Sequence, residues 1–224
     1  MTGVDWDQRA DLGSSQGPAP ISQSQGGASS PVVRLACVAD RPAAVRSMAR
    51  AFWSDPFLEY FYPDENVRTH RIERFFQILW GLSLPLGHVA VTDSCEAVAL
   101  WRPPYRWRVK RRTIAANLPH MLGAYGTATG RVIRCLEAME KHHARRPHWY
   151  LATVGTDPAY QGRGLAGRLI RSNLDRCDAA GEPAYLEAAS ESLVGFYSAM
   201  GFQLLEEVKV PGSLKFYPMW REPA

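Results

Sequence analysis

The sequence predicts an α/β domain, a mixed sheet flanked by helices. Three observations carry that expectation. Past residue 148, short apolar runs and helical periodicities alternate as β-α-β-α-β-β. Two of the runs, Trp149–Val154 and Ala184–Ala188, are apolar on both faces, which places them in the middle of a sheet. Upstream, His88–Thr92 and Ala97–Trp101 flank an Asp93-Ser94 turn and read as a hairpin.

The elements follow in order. Residues 1–30 are rich in Gly, Ser, Gln, Pro and Ala, with few large apolar residues beyond Trp6, Leu12 and Ile21. Such a stretch cannot offset its ordering entropy by burial, so it reads as a disordered tail. Residues 31–224 read as one domain. Val32–Ala36 opens it as a strand. Asp40 is placed to cap a helix over Arg41–Trp53, whose Ala44, Val45, Met48, Ala49 and Phe52 share one face. Asp55-Pro56 ends that helix. A second helix spans about Asn66–Ser83, with Ile72, Phe75, Phe76, Leu79 and Trp80 as its stripe. Two helical pieces, about Arg112–Leu122 and Thr129–His143, follow the hairpin. The helix over Gln161–Ala180 turns Leu165, Leu169, Ile170, Leu174 and Cys177 to the sheet and stops at Gly181. Ser190 is placed to cap a short helix, Glu191–Met200, and Phe202–Val210 and Leu214–Met219 close the chain as strands.

The composition excludes several function classes. Charge and apolar content are those of a soluble globular protein. The net charge of +4 suits an anionic ligand and is too small to indicate nucleic acid. Cys37, Cys95, Cys135 and Cys177 form no CxxC and no Cys/His cluster, so neither a metal site nor a disulfide framework is expected. A reducing cytoplasm is the simplest setting. No apolar run is long enough for a membrane span, and the N-terminus lacks a secretory signal pattern.

The chemistry concentrates at one joint. Between the strand at Trp149–Val154 and the helix after it stands Gly155-Thr156-Asp157-Pro158-Ala159-Tyr160-Gln161-Gly162-Arg163-Gly164-Leu165-Ala166-Gly167. A helix N-terminus presents unpaired N–H groups and the positive end of its dipole, which makes it an anion site. Gly162 and Gly164 let a bulky diphosphate approach the backbone, and Arg163 adds charge. The same residues satisfy G-x-G-x-x-G, with Glu187 near the spacing of a ribose-binding acid. Against a dinucleotide fold stand the residues between strand and first glycine, and the few βα units left after Gly167.

This joint resembles the signature of the GCN5-related N-acetyltransferase (GNAT) family, [Gln/Arg]-x-x-Gly-x-[Gly/Ala], met by Gln161, Gly164 and Ala166. Residues 149–155, 185–190 and 196–202 resemble the puromycin N-acetyltransferase branch of that family. The likeness is specific over about 148–204, weaker over 32–101 and poor over 103–146. It implies a mainly antiparallel central sheet, acetyl-CoA as cosubstrate and a small-molecule primary amine as acceptor. Val154, Gly155 and Thr156, with a bulge after Val154, would meet the pantetheine arm. Gln161, Gly162, Arg163, Gly164, Leu165 and Ala166 would hold the pyrophosphate. Tyr197 falls where family members keep a tyrosine near the cofactor sulfur.

Reaction chemistry adds roles. Acetyl transfer needs a neutral amine, a polarised carbonyl and a proton for the departing thiolate. Tyr197 is the candidate acid, and Glu187 the candidate base, directly or through water. The bland readings are a core aromatic for Tyr197 and a structural carboxylate at the Ser190 helix for Glu187. A non-catalytic acyl-CoA-binding domain remains the alternative function on the same fold. Phe52, Trp53, Phe57, Tyr60, Phe61 and Tyr62, with Asp55 and Glu59, form an aromatic stretch suited to an amine with an apolar, aromatic or antibiotic-like body. Arg168 and Arg171, the pair His142-His143 and the run Arg106–Arg112 read as solvated surface. Neither a nucleic-acid nor a membrane partner is expected, and a monomer or homodimer is.

Overall fold

The computed structural model describes residues 32–109 and 111–224. The expected tail at 1–30 lies outside the described residues. The elements are β1 (Val33–Leu35), α1 (Arg41–Ala51), α2 (Pro56–Phe61), α3 (Glu65–Ser83), β2 (Val89–Thr92), β3 (Ala97–Arg102), α4 (Arg111–Tyr125), α5 (Thr129–His142), β4 (Trp149–Thr156), α6 (Leu165–Ala180), β5 (Ala184–Ala188), α7 (Val194–Ser198), β6 (Gln203–Leu204), β7 (Val208–Val210) and β8 (Leu214–Arg221). The sheet runs β1-β2-β3-β4-β5-β8-β6, and β7 pairs with β8. Every neighbouring pair is antiparallel except β4–β5. A sheet with one parallel pair has no repeated βαβ winding, which removes the dinucleotide-fold reading of the glycine motif.

Strand alternation sorts the core into two layers. On β3, Val98 and Leu100 face α1 and α3 with Val45, Met48 and Phe76. Ala97, Ala99 and Trp101 face α6 with Leu165, Leu169 and Ile170. The α6 stripe packs as its spacing predicts.

Several local expectations change. Asp40 does not cap α1: its carboxylate binds Arg34 at 2.7 and 2.8 Å and the Cys37 amide at 2.8 Å. α1 already stops at Ala51, and Asp55-Pro56 instead starts α2, because proline suits a first helical position and Asp55 accepts from the Phe57 and Leu58 amides. α6 starts at Leu165 rather than Gln161, since Gly162 and Gly164 stand at φ of 75° and 72° and cannot continue a right-handed helix. Ser190 makes no cap hydrogen bond, and the expected helix splits into a 3₁₀ turn, Glu191–Leu193, and α7. The strand expected over Phe202–Val210 breaks between β6 and β7. Three cysteines are buried, while Cys37 is exposed. Among the described residues no helix is long and apolar enough to cross a membrane.

The C-terminal strand is tied to α6 by a bidentate pair. Arg221 Nη1 and Nη2 donate to Asp178 at 2.6 and 2.7 Å, and the Ala224 amide adds a third bond. The guanidinium hydrogen bond, then the backbone one, hold the Asp178 carboxyl below its ordinary value. A depressed carboxyl stabilises the fold above its unfolded pKa and loses that contribution as pH falls through the folded one. Asp178→Asn therefore lowers Tm near neutral pH by about 2–4 °C, for about 1 kcal/mol at a partly exposed pair. The gap to the parent closes as pH falls below about 4. Thermal unfolding of both proteins across acid pH checks this.

Candidate active site

The glycine joint is an open cradle of main-chain donors. Asp157 starts it, accepting from the Ala159 amide and from the Arg50 guanidinium of α1. Arg50 holds the Asp157 carboxyl below its usual range. A 3₁₀ turn, Pro158–Tyr160, then leads into the positive-φ glycines. Gln161 Nε2 donates to the Thr156 carbonyl at 3.2 Å, and the Arg163 guanidinium lies 5.0 Å from the Tyr160 ring centre. The first intrahelical bond runs from the Arg168 amide to the Gly164 carbonyl. The amides of residues 162–167 consequently have no acceptor among the described residues. A Cβ at Gly162 or Gly164 would meet nothing within 4 Å, so the space before these amides is open. Nearby, Thr156 Oγ1 is buried with no partner. These residues fit a diphosphate and its pantetheine arm.

A cleft opens beside this cradle. β4 and β5 pair only from Trp149↔Ala184 to Leu151↔Leu186. β4 stays paired with β3 as far as Thr156, so past Leu151 no strand among the described residues pairs with its other edge. The β3–β4 register shifts between Leu100 and Trp101, leaving Ala152 as the extra residue. The bulge thus precedes Val154 instead of following it, because pairing from Thr153 to Thr156 is regular. Gly155 is where α1 crosses β4: a Cβ there would come within 2.7 Å of Phe52 and 3.0 Å of Ala51.

The two candidate catalytic side chains lie on opposite faces of the sheet. Tyr197 belongs to the apolar layer of Leu165, Leu186, Ala188 and Met219, and burial pushes its hydroxyl up to about 12. That hydroxyl has no hydrogen-bond partner among the described residues. Glu187 alternates with Leu186 and Ala188, so its carboxylate enters the other face. It is 2% exposed and accepts from Tyr150 Oη at 2.6 Å and Tyr185 Oη at 3.1 Å. His143 Nδ1 meets it at 3.0 Å. This carboxylate caps no helix.

His143 overturns the expectation of a surface pair. His142 does face outward and meets Glu206 at 2.9 Å. His143, the residue after α5, turns inward beneath Trp107, whose ring stacks on it at 3.7 Å. His148 lies behind, 3.1 Å away between Nε2 atoms, with burial pushing its imidazole down to about 4. Beside Tyr150, across the β3–β4 pair, Arg102 is buried and donates to the Trp107 carbonyl at 2.7 Å. Burial holds the Tyr150 and Tyr185 hydroxyls above, and the Arg102 guanidinium below, their ordinary values.

The model of the acetyltransferase (GNAT) family matches residues 86–202, which contain the cradle, the cleft, Glu187 and Tyr197. The chain belongs to that family. Acetyl transfer from acetyl-CoA to an amine is the activity that membership supports. The N-alpha-acetyltransferase RimI of Mycobacterium tuberculosis is 45% identical over 53 residues, 23% of this chain and 32% of that protein. The match thus spans about a third of that relative's length. A Corynebacterium glutamicum structure described as histone acetyltransferase HPA2 and related acetyltransferase superposes with a TM-score of 0.69 at 26% identity, covering 87% of this chain and 97% of that one. Arylalkylamine N-acetyltransferase 2 of Aedes aegypti shares the fold at a TM-score of 0.63 and 13% identity, over 86% of this chain and 99% of its own.

On this GNAT scaffold the aromatic stretch divides. Phe61 and Tyr62 are core, while Trp53, Phe57 and Tyr60 are half-buried. Tyr60 packs under the β7–β8 turn so closely that a Cβ on Gly212 would come within 2.3 Å of its ring. A groove of about 400 Å³ between α1 and α3 is lined by Arg46, Arg50, Trp53, Thr69, Ile72 and Pro158, apart from Glu187 and Tyr197. Arg168 and Arg171 lie on the exposed face of α6, as expected.

The sequence reading assigns no role to Tyr150, Tyr185 or His148 and places His143 on the surface. The period of two places Tyr150 opposite Trp149 and Leu151 in the sheet, and Tyr185 beside Glu187. That signal was present. Nothing local marks the end of α5 as buried.

Proposed function

We propose that this chain is an acetyl-CoA-dependent N-acetyltransferase acting on the primary amine of a small molecule. The row of unpaired amides at 162–167, opening beside a cleft between two splayed strands, is the observation that carries it. Gln161, Gly162, Arg163, Gly164, Leu165 and Ala166 hold the pyrophosphate, and Val154, Gly155 and Thr156 line the pantetheine arm. Bound acetyl-CoA supplies an activated thioester. The free edge of β4 near Val154 and Gly155 presents main-chain donors to its carbonyl. Tyr197 keeps its proton throughout the neutral range and delivers it to the departing sulfur. Glu187 collects the acceptor's proton, through water since its carboxylate is buried. The half-buried Trp53, Phe57 and Tyr60 suit an acceptor with an apolar or aromatic body.

Acetyl-CoA turnover, read as free thiol, against arylalkylamines, polyamines, aminonucleosides and peptide N-termini tests the proposal. Preference for an amine with an aromatic body is expected. Preference for peptide N-termini would favour the α-amino specificity in the RimI name. Tight acetyl-CoA binding with no amine acetylated would leave a binding domain.

A further inference from the structure

The hydrogen bonds around Glu187 determine how many protons it shares. One chain of contacts runs from the Arg146 carbonyl to His148 Nδ1 at 2.6 Å, from His148 Nε2 to His143 Nε2 at 3.1 Å, and from His143 Nδ1 to Glu187 Oε1 at 3.0 Å. A carbonyl oxygen only accepts, so His148 Nδ1 carries the hydrogen. His148 is neutral, since burial disfavours its charged form, and its Nε2 is therefore bare. A bare nitrogen only accepts, so the hydrogen of the next contact sits on His143 Nε2. The last contact joins His143 Nδ1 to a carboxyl oxygen. Two bare lone pairs would repel there, so a hydrogen lies between them. The His143 imidazole is then positive beside a carboxylate, or neutral beside a carboxylic acid. Tyr150 and Tyr185 both donate to Glu187, which favours the carboxylate. Either way the pair holds one proton more than a neutral imidazole and a carboxylate.

We propose that Glu187 and His143 hold this proton as one unit, and that His143 is the positioning residue that decides when Glu187 can take the acceptor's proton. The proposal rests on the acetyl-transfer reading above. In going from ammonium to amide the acceptor nitrogen gives up two protons and forms a bond to the acetyl carbon. The carbon–sulfur bond breaks, and the sulfur takes one proton. The other must leave through the protein. A loaded pair takes it only by protonating the carboxylate and stripping the imidazolium of its counter-charge, which a buried site disfavours. An unloaded pair receives it and later releases it to water.

The surroundings leave this pair as the switchable unit. Facing it are His148 and Tyr150 from β4 and its approach, Tyr185 from β5, and Arg102 from β3 beside Tyr150. Trp107 covers His143, with Arg108 stacked 4.7 Å from the Trp107 ring centre and paired with Glu140. Arg146 pairs outward with Glu222. The tyrosines stay protonated and His148 stays neutral across the neutral range.

Nitrogen-detected NMR of the histidine rings in the free protein, near neutral pH, counts the protons directly. His143 is recognised by its proximity to the Trp107 indole. Both His143 nitrogens are expected to carry hydrogen, and only one in Glu187→Gln. A bare His143 Nδ1 beside a Glu187 carboxyl carbon with the shift of an ionised carboxylate overturns the proposal. The kinetic counterpart is the pH profile of kcat/KM. It is expected to climb about tenfold per pH unit below the pair's ionisation, and to lose that step in His143→Gln while the KM for acetyl-CoA holds. The same step in His143→Gln overturns it too. If that variant fails to fold, the nitrogen count in the parent decides. Absence of turnover with every amine would defeat the functional reading and leave the proton count standing.

Discussion

Gly164→Glu is expected to weaken acetyl-CoA binding about a thousandfold or more. One effect falls on the fold and the other on binding. The backbone at Gly164 stands at φ of 72°, where a Cβ costs about 1–2 kcal/mol of stability. The larger effect is charge. A carboxylate about 4 Å from one phosphate charge is repelled by roughly 4 kcal/mol at an effective dielectric of 20, and each 1.4 kcal/mol is about tenfold in affinity. The fold itself survives, because nothing lies within 4 Å of the new Cβ. Gly164→Ala carries the strain without the charge and should lose far less. Calorimetric titration with acetyl-CoA, beside thermal unfolding of each variant, separates the contributions. Unchanged affinity in Gly164→Glu would place the diphosphate elsewhere.

Tyr197→Phe is expected to cut kcat by about 10²–10⁴-fold, the scale of a positioned general acid, and to leave acetyl-CoA affinity nearly intact. The ring remains, so packing against Phe196 and Phe202 at 5.1 and 6.2 Å is kept. The hydroxyl has no hydrogen-bond partner among the described residues, so its loss strands no donor or acceptor there and stability hardly changes. A rate effect without a stability effect is therefore the signature of catalysis. Single-turnover thiol release and an unfolding curve supply the two readings. Full turnover in the variant would make Tyr197 a packing residue.

Much of this molecule was legible along the chain. β4, β5 and α6 follow from apolar runs and a helical stripe, and the glycines between them mark a helix mouth that a diphosphate can approach closely. The family signature lies in that same stretch. Misread local elements have local causes. Pro56 reads as a stop when it is a start. Gln161 looks helical until the positive φ of Gly162 and Gly164 is known.

What the sequence by itself determined is where the cradle lies: a glycine-rich helix mouth with unpaired amides depends on neighbours a few residues apart. Tertiary structure alone decided the network around Glu187. Its partners come from β4, β5 and the end of α5, up to 44 positions away. Period-two alternation says that Glu187 and Leu186 part company, but not which of them faces α6. That choice, and the burial of His143 beside an exposed His142, belongs to long-range packing, where desolvation and hydrogen-bond satisfaction are settled together.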